Sequence, residues 1–266
     1  MITEFKKIRR PAVSGMFYPN SPDELRNLIR EFIAGVKIKI DRSPKALIAP
    51  HAGYQYSGPV AASAFASLKA QADSIKNIII IGPSHRMPFD GIAAPECDGF
   101  ETPLGVVPVN QSLIQKALRL PCVKASDLAH SDEHCLEVEL PFLQEILPQF
   151  TIAPFTVGDA SDQDVADLLE LLWDGDDTRI VVSSDLSHYL NYSSAKQIDE
   201  ITANSILNLD HESIDYDQAC GCIPVRGLII TAKKHNLKAE LIDLRNSGDT
   251  SGNKGKVVGY GAFLFK

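Results

Sequence analysis

Apolar positions along the chain follow two rhythms. In SPDELRNLIREFIAG, residues 21–35, Leu25, Leu28, Ile29 and Phe32 recur at helical spacing. Ser21 caps that stretch, Pro22 opens it and Gly35 can end it. Between such stretches lie short unbroken apolar runs: KALIAP (45–50), IKNIIIIGPSH (75–85), TIAPFTVG (151–158) and TRIVVSSDLSHY (178–189). Short runs rich in β-branched side chains and bounded by Gly, Pro or Ser predict buried strands. Helices are predicted over SGPVAASAFASLKA (57–70), with Ser57 or Gly58 near the cap and Pro59 in the first turn. They are also predicted over DQDVADLLELLW (162–173), SAKQIDEITANSIL (194–207) and PVRGLIITAKKH (224–235), the last begun by Pro224.

HSDEHCLEVELPFLQEIL, residues 130–147, reads as a helix capped by Ser131, with a kink or turn at Pro141. DGIAAP (90–95) and LGVVPV (104–109) read as a strand pair, and KAELIDLRNSG and KVVGYGAFLF as the last strands. The glycine-rich stretch between these two carries neither GxGxxG nor a P-loop, and reads as a loop. No repeat, low-complexity tract or linker interrupts the chain. Strands alternating with helices predict an α/β fold in three layers, with residues 1–266 forming one domain.

The 266 residues suffice for a large core, and 44% hydrophobic against 23% charged excludes a disordered chain. A net charge of −8 argues against a nucleic-acid partner, which requires a basic face. KKIRR at 6–10 reads as a solvated arm. IIII at 78–81 is too short to span a bilayer, and MITEFKKIRRPAVSG has no signal-peptide core, so no membrane partner is expected. Five cysteines, an odd number, read as reduced thiols in a cytoplasmic protein.

Three predicted strands end in polar groups. His51 follows the first, His85 the second, and Asp185 with His188 the third. Ligands of open α/β sheets bind beyond the carboxyl ends of the strands, so these groups can converge on one pocket. Imidazoles suit zinc, iron or copper. A third ligand could come from two places. QACGCIPV sets Cys220 and Cys222 near a helix N-terminus, where the dipole favours thiolate; buried inert thiols are the plain alternative. His134 and Glu137 stand three apart on the expected 130–147 helix, as do His130 and Glu133, each pair like a reversed Glu-x-x-His; an acidic first turn answering the helix dipole is the plain reading. Tyr54 and Ser84, beside the two histidines, and Ser247 and Asp249, at a late strand end, are further pocket candidates.

Taken in order, RRPAVSGMFYP, APHAGYQYSG, IIIIGPSH, DEHCLEVELPFLQ, SSDLSHY, ACGCIPV and NSGDTSG with VVGYGAF resemble the Memo family. Its bacterial and archaeal members are called AmmeMemoRadiSam system protein B. The resemblance implies a class III extradiol dioxygenase-like fold with a central mixed sheet. It places two metal histidines on His51 and His85, the third ligand on Cys220, and an acid/base histidine on His188 beside Asp185. Those dioxygenases hold Fe(II) on two histidines and a glutamate. A cysteine in place of the carboxylate makes copper and zinc better competitors, with Fe(II) still the first expectation and redox chemistry in reach. Dioxygenase turnover is therefore not carried over with the fold. The implied partners are a small molecule or peptide and the proteins of a radical-SAM system. Two other readings are a non-enzymatic module using the same pocket and a thiol hydrolase built on Cys220, His188 and Asp185.

Overall fold

The computed structural model describes residues 5–37, 43–173, 175–250 and 252–266. Its strands are β1 (Ile8–Arg9), β2 (Ala46–Ala49), β3 (Asn77–Pro83), β4 (Ile92–Ala94), β5 (Gly99–Thr102) and β6 (Gly105–Pro108). They continue with β7 (Val123–Ala125), β8 (Thr151–Val157), β9 (Thr178–Ser183), β10 (His188–Leu190), β11 (Ala239–Asn246) and β12 (Val257–Phe265). The helices are α1 (Pro22–Ala34), α2 (Tyr54–Phe65), α3 (Gln111–Ala117), α4 (Leu128–Ser131) and α5 (Leu140–Ile146). After them come α6 (Asp162–Leu171), α7 (Tyr192–Leu207), α8 (Cys222–Lys234) and α9 (Ser247–Thr250).

One large mixed sheet runs β10-β12-β2-β9-β3-β8-β4-β7, with β11 added to β12; β1, β5 and β6 form a small second sheet. The centre, β2-β9-β3-β8, is parallel throughout. Its strands are buried nearly end to end, which is why they read as unbroken apolar runs and not as alternating ones. Helices α1, α2 and α5 pack together, α6 packs on α8, and α7 lies on β11 and β12, giving the α/β layers expected. Because β2, β9 and β3 are adjacent and parallel, their carboxyl ends emerge side by side. That edge carries His51, Asp185, His188 and His85.

Local expectations fail where a tertiary contact outweighs a local signal. Helix α2 begins at Tyr54 and carries Pro59 in its interior, because the carbonyl of Phe17 accepts the Tyr54 N–H at 2.7 Å and anchors an earlier start. DGIAAP and LGVVPV do not pair. β4 sits between β7 and β8 in the large sheet, while β6 pairs with β5, reached through a turn at Gly105, φ +119°. The 130–147 helix is not continuous: α4 stops at Ser131, residues 137–139 form a single 3₁₀ turn, and α5 begins at Leu140 with Pro141 in its first turn. Helix α8 starts at Cys222, two residues before Pro224. Residues 247–250 form a helical turn where a loop was expected; Ser251 of that stretch lies outside the described residues. Among the described residues no helix is long and apolar enough to cross a membrane.

Candidate metal centre

His51 leaves β2 after Pro50 and is 2% exposed. Its backbone N–H donates to Asp185 Oδ1 at 2.8 Å, its Nδ1 lies 2.8 Å from Ser183 Oγ, and its Nε2 lies 3.3 Å from Cys220 Sγ. His85, beyond the end of β3, is oriented by Glu133, whose Oε1 lies 3.0 Å from its Nδ1 and whose Oε2 accepts its backbone N–H. His134 comes from the irregular stretch between α4 and α5, and its N–H also donates to Glu133. One ligand atom each of His51, His85 and His134 lies within 4.8 Å of the others. The rings stand edge-on or stacked, with centroids 4.9 to 5.6 Å apart.

The electrostatics suit a cation. Burial holds the His51 imidazole well below its usual range, with His85 adding repulsion, and takes His134 down to about 3. Both rings are therefore neutral near pH 7, the form that ligates. Burial alone would raise the Glu133 carboxyl. The hydrogen bond and charge of His85, with backbone N–H groups, overcome it and hold the group well below the usual carboxylate range. A carboxylate on Nδ1 of His85 leaves Nε2 as the ligand atom, the arrangement common behind metal-bound histidines. Nδ1 of His134 is buried without a hydrogen-bond partner, Glu133 Oε1 standing 3.3 Å away outside hydrogen-bond geometry. That nitrogen lies on the Glu133 side, as Nδ1 of His85 does; what fits an ion is the donor set itself, three imidazoles each offering a ligand atom within 4.8 Å of the others. His85, Glu133 and Cys135 form a second close group, but Cys135 is fully buried and donates to the Pro83 carbonyl, and Glu133 is spent on orienting His85.

Cys220 meets the histidines at His51. It is set by its N–H donating to the Asp185 carbonyl at 3.2 Å and by Gly221, where a Cβ would come within 2.7 Å of Ser184. The CGC spacing is thus a close approach to the β9 loop. Burial pushes the Cys220 thiol well above its usual range, Asp185 adding to it, so the helix N-terminus does not by itself yield a thiolate. Burial likewise raises Cys222, to about 11; it lies 1% exposed at the start of α8. The hydrolase arrangement is not formed: among the described residues the imidazole within hydrogen-bond reach of Cys220 Sγ is His51's, not His188's.

Two cavities meet at His85, His188 and Tyr189. One, of about 650 Å³, is lined by His51, His134, Asp185, Arg86 and Tyr260 among others. The second, of about 940 Å³, is lined by Ser84, Cys220, Phe89 and Tyr216. Tyr189 stands between them, 70% exposed and at φ +57°, a left-handed conformation uncommon outside glycine. Ser247 lines the first cavity and accepts the Val258 N–H. Asp249 is turned away, bound to the Tyr192 hydroxyl and the Asn246 N–H. Tyr54 is core: its hydroxyl donates to the Val138 carbonyl and its ring packs on Phe142, leaving Tyr56 at the cavity. Glu137 is fully buried away from both cavities, paired with Arg9 and accepting from Ala12 N–H, Val13 N–H and Tyr18 OH.

A family model described as Memo-like protein matches residues 9–264. The chain belongs to the Memo family. It is 34% identical to a MEMO1 family protein of Aquifex aeolicus and 35% identical to one of Methanosarcina mazei; each alignment covers 97% of this chain and 99% of the relative. A crystal structure of an uncharacterized protein, JW3007, from Escherichia coli K12 shares the fold at 14% identity and a TM-score of 0.54, covering 84% of this chain and all of that one. In this Memo-family chain the sequence reading brought His51, His85, His134, Asp185, His188 and Cys220 to one region. It missed Ser183 and Glu139, which stand behind His51, and it set Glu133 with His130, whereas that carboxylate orients His85. Ser183 and Glu139 lie in apolar stretches of sequence that look like plain core.

Proposed function

We propose that this Memo-family protein binds a transition-metal ion at the carboxyl ends of β2 and β3. His51 and His85 are the imidazole ligands, Cys220 is the thiol ligand, and His134 is a further donor within reach. The observation that carries this reading is the trio of His51, His85 and His134 ligand atoms within 4.8 Å, with Cys220 Sγ 3.3 Å from His51 Nε2. A mixed imidazole and thiolate set suits Fe(II), copper or zinc, of which Fe(II) comes first by family kinship. Such an ion would supply a Lewis acid with an open coordination position and, if iron or copper, one-electron chemistry.

The chain's own residues complete a reactive pocket. His188 stands at the junction of both cavities, where it can take or give a proton. Asp185 holds the His51 backbone in place. Burial, opposed by the His188 charge, pushes its carboxyl up to about 6, within reach of proton exchange near neutral pH. A small molecule is the class of ligand that fits the 650 Å³ cavity.

Metal analysis of protein purified without chelator tests the proposal. About one equivalent of iron, copper or zinc is expected per chain. A His51→Ala/His85→Ala double variant is expected to hold almost none, and Cys220→Ala a fraction. Equal metal content in wild type and double variant would sink the idea. Anomalous scattering from crystals would identify the ion and its ligands.

A further inference from the structure

Glu139 is the buried carboxyl that the metal proposal does not use. It is fully buried, and among the described residues no cationic side chain pairs with it. Its Oε1 lies 2.8 Å from Ser183 Oγ, and its Oε2 has no hydrogen-bond partner. Ser183 Oγ has two further neighbours, the Cys135 carbonyl at 2.7 Å and His51 Nδ1 at 2.8 Å. A hydroxyl has one proton to give and two lone pairs to receive. The Cys135 carbonyl can only accept, so the Ser183 proton goes there. All three contacts are then hydrogen bonds under one assignment: His51 donates from Nδ1–H, and Glu139 donates from a protonated carboxyl. A neutral carboxyl is also the form that such burial favours.

We infer that Glu139 is a proton-bearing positioning residue that acts through Ser183 to hold His51 as the Nδ1–H tautomer, turning the Nε2 lone pair toward the metal position and Cys220. An ionised Glu139 would take the Ser183 proton and leave the Cys135 carbonyl without it. Without any donor at 139, the Cys135 carbonyl alone holds the Ser183 proton away from His51 Nδ1; a hydroxyl turned toward His51 would put the hydrogen on Nε2 and block the ligand atom. Glu133 does the equivalent for His85 from the other side. The use of this relay rests on the metal reading; the tautomer itself does not.

The experiment has two arms. In metal-free protein, nitrogen-15 spectra of the histidine side chains report the His51 tautomer, assigned with a His51→Gln variant. Infrared difference spectra of wild type against Glu139→Gln report the carboxylic acid carbonyl at neutral pH. The Nδ1–H tautomer and an acid band lost in the variant are expected; an Nε2–H tautomer, or no acid band, overturns the inference. The second arm titrates Zn²⁺ into wild type, Glu139→Gln, Glu139→Leu and Ser183→Ala, each checked for an unchanged fold by circular dichroism. The amide of Glu139→Gln can donate as the acid does, so affinity should stay within about threefold. Ser183→Ala should weaken binding about 10- to 100-fold, the usual loss when a partner behind a ligand is removed, and Glu139→Leu should lie between. Wild-type affinity in both Ser183→Ala and Glu139→Leu overturns the positioning role. A wild type that takes up no metal overturns the metal reading instead, and the first arm then decides the relay by itself.

Discussion

Glu137 shows how much a single residue can carry without touching the site. Its carboxylate is wholly enclosed, paired with Arg9 and accepting from two backbone N–H groups and the Tyr18 hydroxyl, so it pins residues 9–18 onto the 137–139 turn. Removing one partner of a buried pair leaves the other charge without compensation. Glu137→Leu should therefore lose about 3–5 kcal/mol in denaturant titration, with Arg9 stranded. His130 offers a cleaner test of buried imidazoles, since it lies outside the metal cluster. Burial takes it down to about 4, against the Ala93 carbonyl bond that favours its charged form. The unfolded chain takes up a proton below about pH 6.5 and the folded one only near 4, so stability falls as pH falls through that window. The loss from this residue is about 3 kcal/mol. Chemical denaturation from pH 7 to 4, wild type against His130→Asn, should show the shallower slope in the variant.

Among the elements, the α6–α8 contact is closed by a glycine. A Cβ on Gly227 would come 2.4 Å from Val165 Cγ1 and 3.0 Å from the Asp162 carbonyl. Alanine gains about 1 kcal/mol of helix propensity at such a position, but overpacking costs about 1–3. Gly227→Ala should lower stability by about 1 kcal/mol. An increase in the unfolding midpoint would show that the helices can part without cost. The stretch between α4 and α5 teaches the opposite lesson about local pattern. Its acidic and apolar spacing is helical, yet His134 and Glu137 face different surroundings because Glu133 binds four backbone or ring N–H groups around it and holds the chain in a turn. The reversed Glu-x-x-His is therefore broken by one side chain that satisfies more donors than a helical turn would.

At the scale of the whole molecule, the candidate centre joins the ends of β2 and β3, the turn before α8 and the α4–α5 stretch. An ion held there binds the folded state and not the unfolded one, so saturating metal should stabilise by about 2.7 kcal/mol at a hundredfold excess over its Kd. Thermal unfolding should shift upward with metal and back with chelator, and the His51→Ala/His85→Ala variant should not respond. The sequence by itself determined the layers, the buried strands and the polar groups at their ends. Those follow from periodicity and from strand-end residues, which are local facts, and the Memo motifs agree with them. Tertiary structure decided which polar residues share a cavity. It set Tyr54 in the core and Asp249 outside, paired β6 with β5, and placed Glu133, Ser183 and Glu139 behind the histidines. The reason is that a hydrogen-bond partner is chosen by distance in space. Ser183 and His51 stand 132 residues apart in the chain and 2.8 Å apart in the fold, and no spacing along the sequence encodes that contact.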